Sequence, residues 1–247
     1  LYRGDSILRG FDHDIRRFLT EELRRKGIDL RTNSEVSKIS KSDSDLKVDL
    51  NDGQSILADV VLYATGRIPN VDGIGLEEVG VKQSDIGGIE VNERYQTSVA
   101  TIFALGDVTA RIQLTPVALG EAMTLVDHLF GQGKKEMAYD LIPTAVFTNP
   151  NVATVGLDEA TARKTFANIQ IYRSEFKSLK SAFGGSAEKT LMKIVVDRDA
   201  DRVIGMHMVG KDAGEIIQGF AVAMKAGLTK TVLDSTIGIH PTAAEEF

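Results

Sequence analysis

Cysteine is absent from the 247 residues, which excludes a disulfide staple, a thiolate nucleophile or a cysteine-held metal within them. Histidine is scarce. His13, His128, His207 and His240 are widely scattered, and none stands at the spacing of paired metal ligands, so no metal site is expected. An excess of basic charge is missing too. The net charge is -6, whereas a surface for nucleic acid needs clustered Lys and Arg. No apolar run approaches the roughly 20 residues of a membrane helix, so no membrane partner is expected. Internal repeats and low-complexity segments are also lacking.

What is there reads as an ordinary globular chain, with 43% hydrophobic and 26% charged residues and room for one large or two modest domains. Arg9 to Lys26 has an amphipathic helical pattern, with Ile15, Phe18, Leu19 and Leu23 on one stripe and Gly27 closing it. Leu46–Leu50 and Ser55–Ala58 flank Asn51-Asp52-Gly53, a hairpin signal. Asp59 to Gly66 is a continuous apolar run ending in glycine, as expected of a buried strand. Thr101 to Leu105 reads as a second one. A helix is expected from Thr115, with Pro116 in its first turn and Gly131 near its end. Beyond Pro143 the pattern changes. Val152–Val155, Gln170–Phe176, Met192–Asp197 and Val203–Val209 read as strands, the last two as an antiparallel hairpin. Asp212 and Glu215 stand at capping-box spacing before a helix carrying Ile216, Ile217, Phe220 and Met224. Strands covered by helices without βαβ alternation indicate an α+β unit.

Four constellations could carry chemistry. Arg3 and Arg9 offer two permanently charged forks that match a phosphate, such as the 2′-phosphate of NADPH; spacing alone favours a solvated surface pair. Ala64-Thr65-Gly66-Arg67 puts a glycine that permits close backbone approach, and a cation, at a strand exit. Gly106-Asp107 followed by Leu114-Thr115-Pro116 sets a carboxylate able to accept bonds from sugar or ribityl hydroxyls near a helix N-terminus; Thr115 could instead cap its own helix. His240-Pro241-Thr242-Ala243-Ala244-Glu245-Glu246 brings an imidazole and a carboxylate close across a proline turn, as a proton donor and its orienter, or simply as an acidic tail.

In this order the four motifs, A-T-G-R-x-P-N, then G-D-V with L-T-P-V-A, then H-P-T-A-A-E-E, resemble the pyridine nucleotide-disulfide oxidoreductases, over the whole chain. Within that family the likeness is to the glutathione reductases of plants and cyanobacteria. It is carried by Phe176 to Lys180, Gly205 to Met208, Glu215 to Ala223 and the stretch from Lys225 to Glu246. The resemblance implies an α/β fold joined to an α+β domain. Residues 1–68 would end an NADPH-binding domain, 69–140 would complete an FAD-binding domain, and 141–247 would form a dimerisation domain. It implies FAD and NADPH as cofactors, a homodimer, and glutathione disulfide as substrate. Carried over by position, Arg3 and Arg9 match the 2′-phosphate contacts, and Gly66 and Arg67 further NADPH contacts. Gln113 and Ala145 match backbone bordering the nicotinamide. Asp107 and Thr115, with Leu114 beside it, match FAD contacts. His240 matches the acid–base, joined to Pro241 by a cis peptide, and Glu245 its orienter.

The family's redox cysteine pair and its two glycine-rich turns are not among these residues; they are expected upstream of Leu1, and the 247 residues alone are expected to be inactive. Met123 stands where some glutathione reductases carry an arginine for a substrate carboxylate. Sibling readings are dihydrolipoamide dehydrogenase, which favours an acidic residue at the place of Arg3, and trypanothione reductase. A reading of another class is a non-catalytic dimerisation module, which would have no use for Arg3, Asp107 or His240. The cytoplasm is the expected compartment, with a plastid as the other.

Overall fold

A computed structural model describes residues 1–247. The chain forms two compact units, one of Leu1–Val61 with Asp140–Phe247, the other of Leu62–Tyr139. In chain order the elements are α1 (His13–Arg25), β1 (Val36–Ser42), β2 (Asp45–Leu50), β3 (Ser55–Ala58), α2 (Leu76–Val79), α3 (Thr115–Phe130), β4 (Thr144–Val146), β5 (Val152–Gly156) and α4 (Glu159–Thr165). Then follow β6 (Ile169–Phe176), α5 (Leu179–Phe183), β7 (Thr190–Asp197), β8 (Arg202–Val209), α6 (Ala213–Lys225) and α7 (Lys230–Ser235).

The first unit holds two antiparallel sheets. One is a meander, β1-β2-β3, whose second hairpin turns at Asn51-Asp52-Gly53 as its sequence indicates, with Gly53 at φ 84°. The other runs β4-β5-β8-β7-β6. Its inner strand β7, between β8 and β6, is buried on both faces, and its side chains alternate between two cores. Met192, Ile194 and Val196 meet Met206 and Met208 of β8 and Ala213, Ile217, Ala221 and Met224 of α6. On the opposite face Leu191 joins Val209 and Val152 against Ile15, Phe18 and Leu19 of α1. These antiparallel strands with helices on both faces are an α+β arrangement, to which α1 contributes from the first 61 residues.

The second unit has a small core of Val71, Leu76, Val81, Ile89 and Ala104. Its long helix α3 starts and ends where the sequence indicates.

Four local expectations fail. The Asp59–Gly66 run forms no strand; Val60 is 81% and Leu62 86% exposed. A strand buried on both faces needs neighbours for its N–H and C=O groups, and nothing among these residues pairs with it. Thr101–Leu105 is reduced to one bridge, Gln96 to Phe103, made by the Ala104 N–H to the Tyr95 carbonyl and the Thr97 N–H to the Ile102 carbonyl (2.9 Å each), and the ladder goes no further because the Ile102 N–H turns back to the Val99 carbonyl (2.9 Å). The Asp212–Glu215 box does not form: Asp212 lies in the left-handed region at φ 62°, where its carboxylate reaches no first-turn amide. Finally, the first helix begins at His13 rather than Arg9, because Asp12 caps it through the Asp14 amide (2.9 Å).

Candidate functional site

After α7, whose N-terminus Thr229 caps through the Val232 amide (3.1 Å), the chain leads through Ile237-Gly238-Ile239, with neither helix nor strand, to His240. The His240–Pro241 peptide is cis, and a 3₁₀ turn follows at Ala244–Glu246. Glu245 Oε1 accepts the Thr242 backbone N–H at 3.0 Å and lies 3.1 Å from His240 Nδ1. A carboxylate only accepts, so Nδ1 carries the hydrogen in this contact and Nε2 points away from Glu245. The His240 side chain is 83% exposed and that of Glu245 19%, so a half-sheltered anchor holds an open imidazole. Gly238 makes room for this: a Cβ there would stand 2.8 Å from the Glu245 Cβ. The sequence pointed to His240 and Glu245, and the structure brings them into contact. It did not point to Gly238 or the Thr242 amide.

Arg3 and Arg9 are exposed on the segment that leads into α1. Asp5, between them in sequence, pairs instead with Arg16 of α1 at 3.6 Å. Arg16 also donates from Nε to the Ile7 carbonyl (2.8 Å) and from a terminal nitrogen to the Ser6 carbonyl (2.7 Å). It thereby clamps the loop, a role sequence reading missed, since a lone Arg on a helix face carries no signal. Ala145 lies in β4 and pairs with Ala153.

The remaining residues lie in the second unit. Gly66, at φ 128°, and Arg67 are exposed in a segment with neither helix nor strand. Asp107 is the exposed member of a 3₁₀ turn, Gly106–Thr109. Leu114, not Thr115, is the N-cap of α3, and no side chain caps this end. Thr115 therefore does not cap its own helix, and the positive end of a 16-residue helix is left to another partner. Gln113 is half-buried just before it.

A buried charge cluster supports the first unit. Lys193, 1% exposed on β7, contacts Asp12 (2.9 Å), Asp14 (2.7 Å) and Glu159 (2.7 Å). Burial pushes the Asp12 carboxyl up, but Lys193, the Glu159 amide and nearby His207 outweigh it and hold it below the usual range. Burial likewise lowers Lys193, and its three carboxylates more than reverse this. Nearby, buried His207 bonds Thr154 through Nδ1 and the Leu157 carbonyl through Nε2 (3.0 Å); burial holds this imidazole below its usual value.

Two family models match this chain, the dimerisation domain of the pyridine nucleotide-disulphide oxidoreductases over residues 142–247 and the pyridine nucleotide-disulphide oxidoreductase model over residues 1–122. The chain belongs to the pyridine nucleotide-disulphide oxidoreductase family. It is 47% identical to the glutathione reductase of Nostoc sp., over 99% of this chain and 56% of that protein. It is 40% identical to the trypanothione reductase of Trypanosoma congolense, over 100% of this chain and 50% of that one. Among solved structures, the HOCl-induced flavoprotein disulfide reductase RclA from Escherichia coli superposes with a TM-score of 0.89 at 28% identity, over 99% of this chain and 56% of that one. The chain spans about half the length of the curated relatives it matches.

Membership of this oxidoreductase family implies FAD and NADPH as cofactors. The residues present fit both groups. Two exposed guanidiniums on a clamped loop suit a phosphate. An exposed carboxylate on a pinned turn and an uncapped helix end suit hydroxyl donors and an electron-rich ring. No helix is long and apolar enough to cross a membrane.

Proposed function

We propose that these residues are the C-terminal half of a homodimeric, NADPH-dependent flavoprotein that reduces glutathione disulfide. Residues 1–68 end the NADPH domain, 69–140 complete the FAD domain, and 141–247 form the dimer interface. The observation that carries this reading is the His240–Glu245 pair.

In the proposed reaction a thiolate of the family's redox cysteines, which are not among these residues, attacks one sulfur of the substrate disulfide. The S–S bond breaks, and the second sulfur leaves as a thiolate. His240 gives its Nε2 proton to that sulfur, while Glu245 holds Nδ1–H and so sets the ring's direction. Imidazole suits this transfer because its proton affinity lies close to that of a thiolate near neutral pH. FAD, when bound, passes two electrons from NADPH to the cysteine pair. Arg3 and Arg9 grip the 2′-phosphate, Gly66 and Arg67 extend that contact, and backbone at Gln113 and Ala145 borders the nicotinamide. Asp107, with Leu114 and Thr115, meets FAD.

The likeness to glutathione reductases supports glutathione disulfide as the substrate; trypanothione disulfide is the second reading, supported by the 40% identity to a trypanothione reductase over the whole chain. A direct comparison of kcat/KM for the two disulfides decides between them. For the acid–base role, His240→Ala in the complete dimer is expected to slow disulfide reduction by about 100-fold or more. Stopped-flow absorbance should show flavin reduction by NADPH unchanged. A comparable loss in that first half-reaction would remove His240 from the proposed role. The cytoplasm is the proposed compartment.

A further inference from the structure

Just behind Asp107 lies a buried acid for which the proposed reaction has no use. Glu121, on the inner face of α3, is 1% exposed. Its Oε2 accepts the backbone N–H of Gly106 at 2.6 Å. Its Oε1 accepts the Tyr139 hydroxyl at 2.7 Å and an Arg111 N–H at 3.2 Å. The Arg111 guanidinium in turn lies 5.5 Å from the ring centroids of both Tyr95 and Tyr139. Burial and the bonds to Tyr95 and Glu121 hold the Tyr139 phenol far above its ordinary value, so it remains a donor.

The same glycine is held at its other end. The Thr109 hydroxyl donates to the Gly106 carbonyl at 2.8 Å, and Arg111 Nε–H reaches that hydroxyl at 3.4 Å. The turn closes through the Ala110 N–H to the Asp107 carbonyl at 3.0 Å. Gly106 sits at φ 69° with a would-be Cβ 3.0 Å from the Ala118 Cβ, so only glycine fits between turn and helix. Gly106 and Thr109 are buried and fixed, and Asp107 alone projects to solvent.

Sinking a carboxylate into a helix face is costly unless every oxygen is partnered. Here both are, and one partner is the amide that sets the direction of the turn. We propose that Glu121 is a positioning residue for the flavin: by accepting the Gly106 N–H it holds the Gly106–Thr109 turn so that Asp107 meets the ribityl hydroxyls of FAD. The role rests on the reading of Asp107 as an FAD contact, and it implies that Glu121 acts through Asp107, without touching the cofactor.

The test is titration of FAD into the apo form of the complete protein, followed by flavin fluorescence. Asp107→Ala is expected to raise the dissociation constant about tenfold, and Glu121→Ala by a similar factor. Glu121→Gln keeps an oxygen for the Gly106 amide and should bind FAD within about threefold of the parent. In the double variant Asp107→Ala/Glu121→Ala the two losses should not multiply, because the second residue works through the first. If Asp107→Ala weakens binding and Glu121→Ala does not, or if the losses multiply, Glu121 is not a positioning residue. If Asp107→Ala itself leaves binding unchanged, the Asp107 contact falls and the proposal with it. Should Glu121→Ala fail to fold, Thr109→Val removes the grip on the Gly106 carbonyl. It should weaken FAD about threefold in the parent and add nothing in the Asp107→Ala background; unchanged binding would overturn the proposal equally.

Discussion

Single residues owe their chemistry here to what their neighbours do with nearby charge. Arg3 and Arg9 flank Asp5 in sequence, and a reader of the sequence would pair one of them with it. Arg16 takes that carboxylate at 3.6 Å and pins two carbonyls of the same loop. The two outer guanidiniums are thereby left for a ligand. Replacing either by Met in the complete enzyme is expected to raise KM for NADPH about tenfold, the worth of a charge-assisted bond, with KM for NADH unchanged. Steady-state kinetics with both nucleotides reads this directly. An equal rise for NADH would move the arginines away from the 2′-phosphate.

Among the elements, β7 decides most. Thr190-Leu191-Met192-Lys193-Ile194-Val195-Val196 reads as an apolar strand with one misplaced cation. In the fold, alternate residues meet α6, and Lys193 on the other side meets the N-terminus of α1 and the start of α4. Lys193→Met would leave three carboxylates facing a lost cation. It is expected to cost about 3–5 kcal/mol in urea denaturation, while a loss below about 1 kcal/mol would mean that these charges are solvated. His207 on β8 adds a pH dependence. Its folded-state pKa lies below the unfolded value, so the unfolded chain binds the proton first. Its contribution is complete above the unfolded value and is lost as pH falls from about 6.5 towards the lower folded value. The carboxylates Asp12 and Glu159, both held low, follow only in stronger acid. Thermal melts at pH 7 and pH 5.5 should therefore separate more in the parent than in His207→Gln; an equal separation would assign the effect elsewhere.

For the molecule as a whole, exposed apolar side chains mark what these residues do not cover by themselves. Ile68 is 80% exposed and Ile237 94%, values unusual for branched aliphatics in a finished surface. With no cysteine in the sequence, the 247 residues alone are expected to show no NADPH-dependent reduction of glutathione disulfide, while the complete protein should turn over and sediment as a dimer. Turnover by the isolated chain would contradict the reading of these residues as half of the reductase, and a monomeric active enzyme would contradict the reading of residues 141–247 as the dimer interface.

The order of motifs from Arg3 to Glu245, the antiparallel hairpin β7–β8 and the bounds of α3 were legible in the sequence, because each rests on local periodicity, on turn residues, or on a spacing of a few positions. Their meaning as a family was legible only through their order, since each alone fits an ordinary surface. The strand expected at Asp59–Gly66 was not realised, because pairing depends on neighbours that local pattern does not describe. Tertiary structure alone decided which carboxylate holds which partner. Asp5 to Arg16, Asp12 to Lys193 and Glu121 to the Gly106 amide are separated by 11, 181 and 15 positions, and no periodicity encodes a contact that exists only once the chain has folded back on itself.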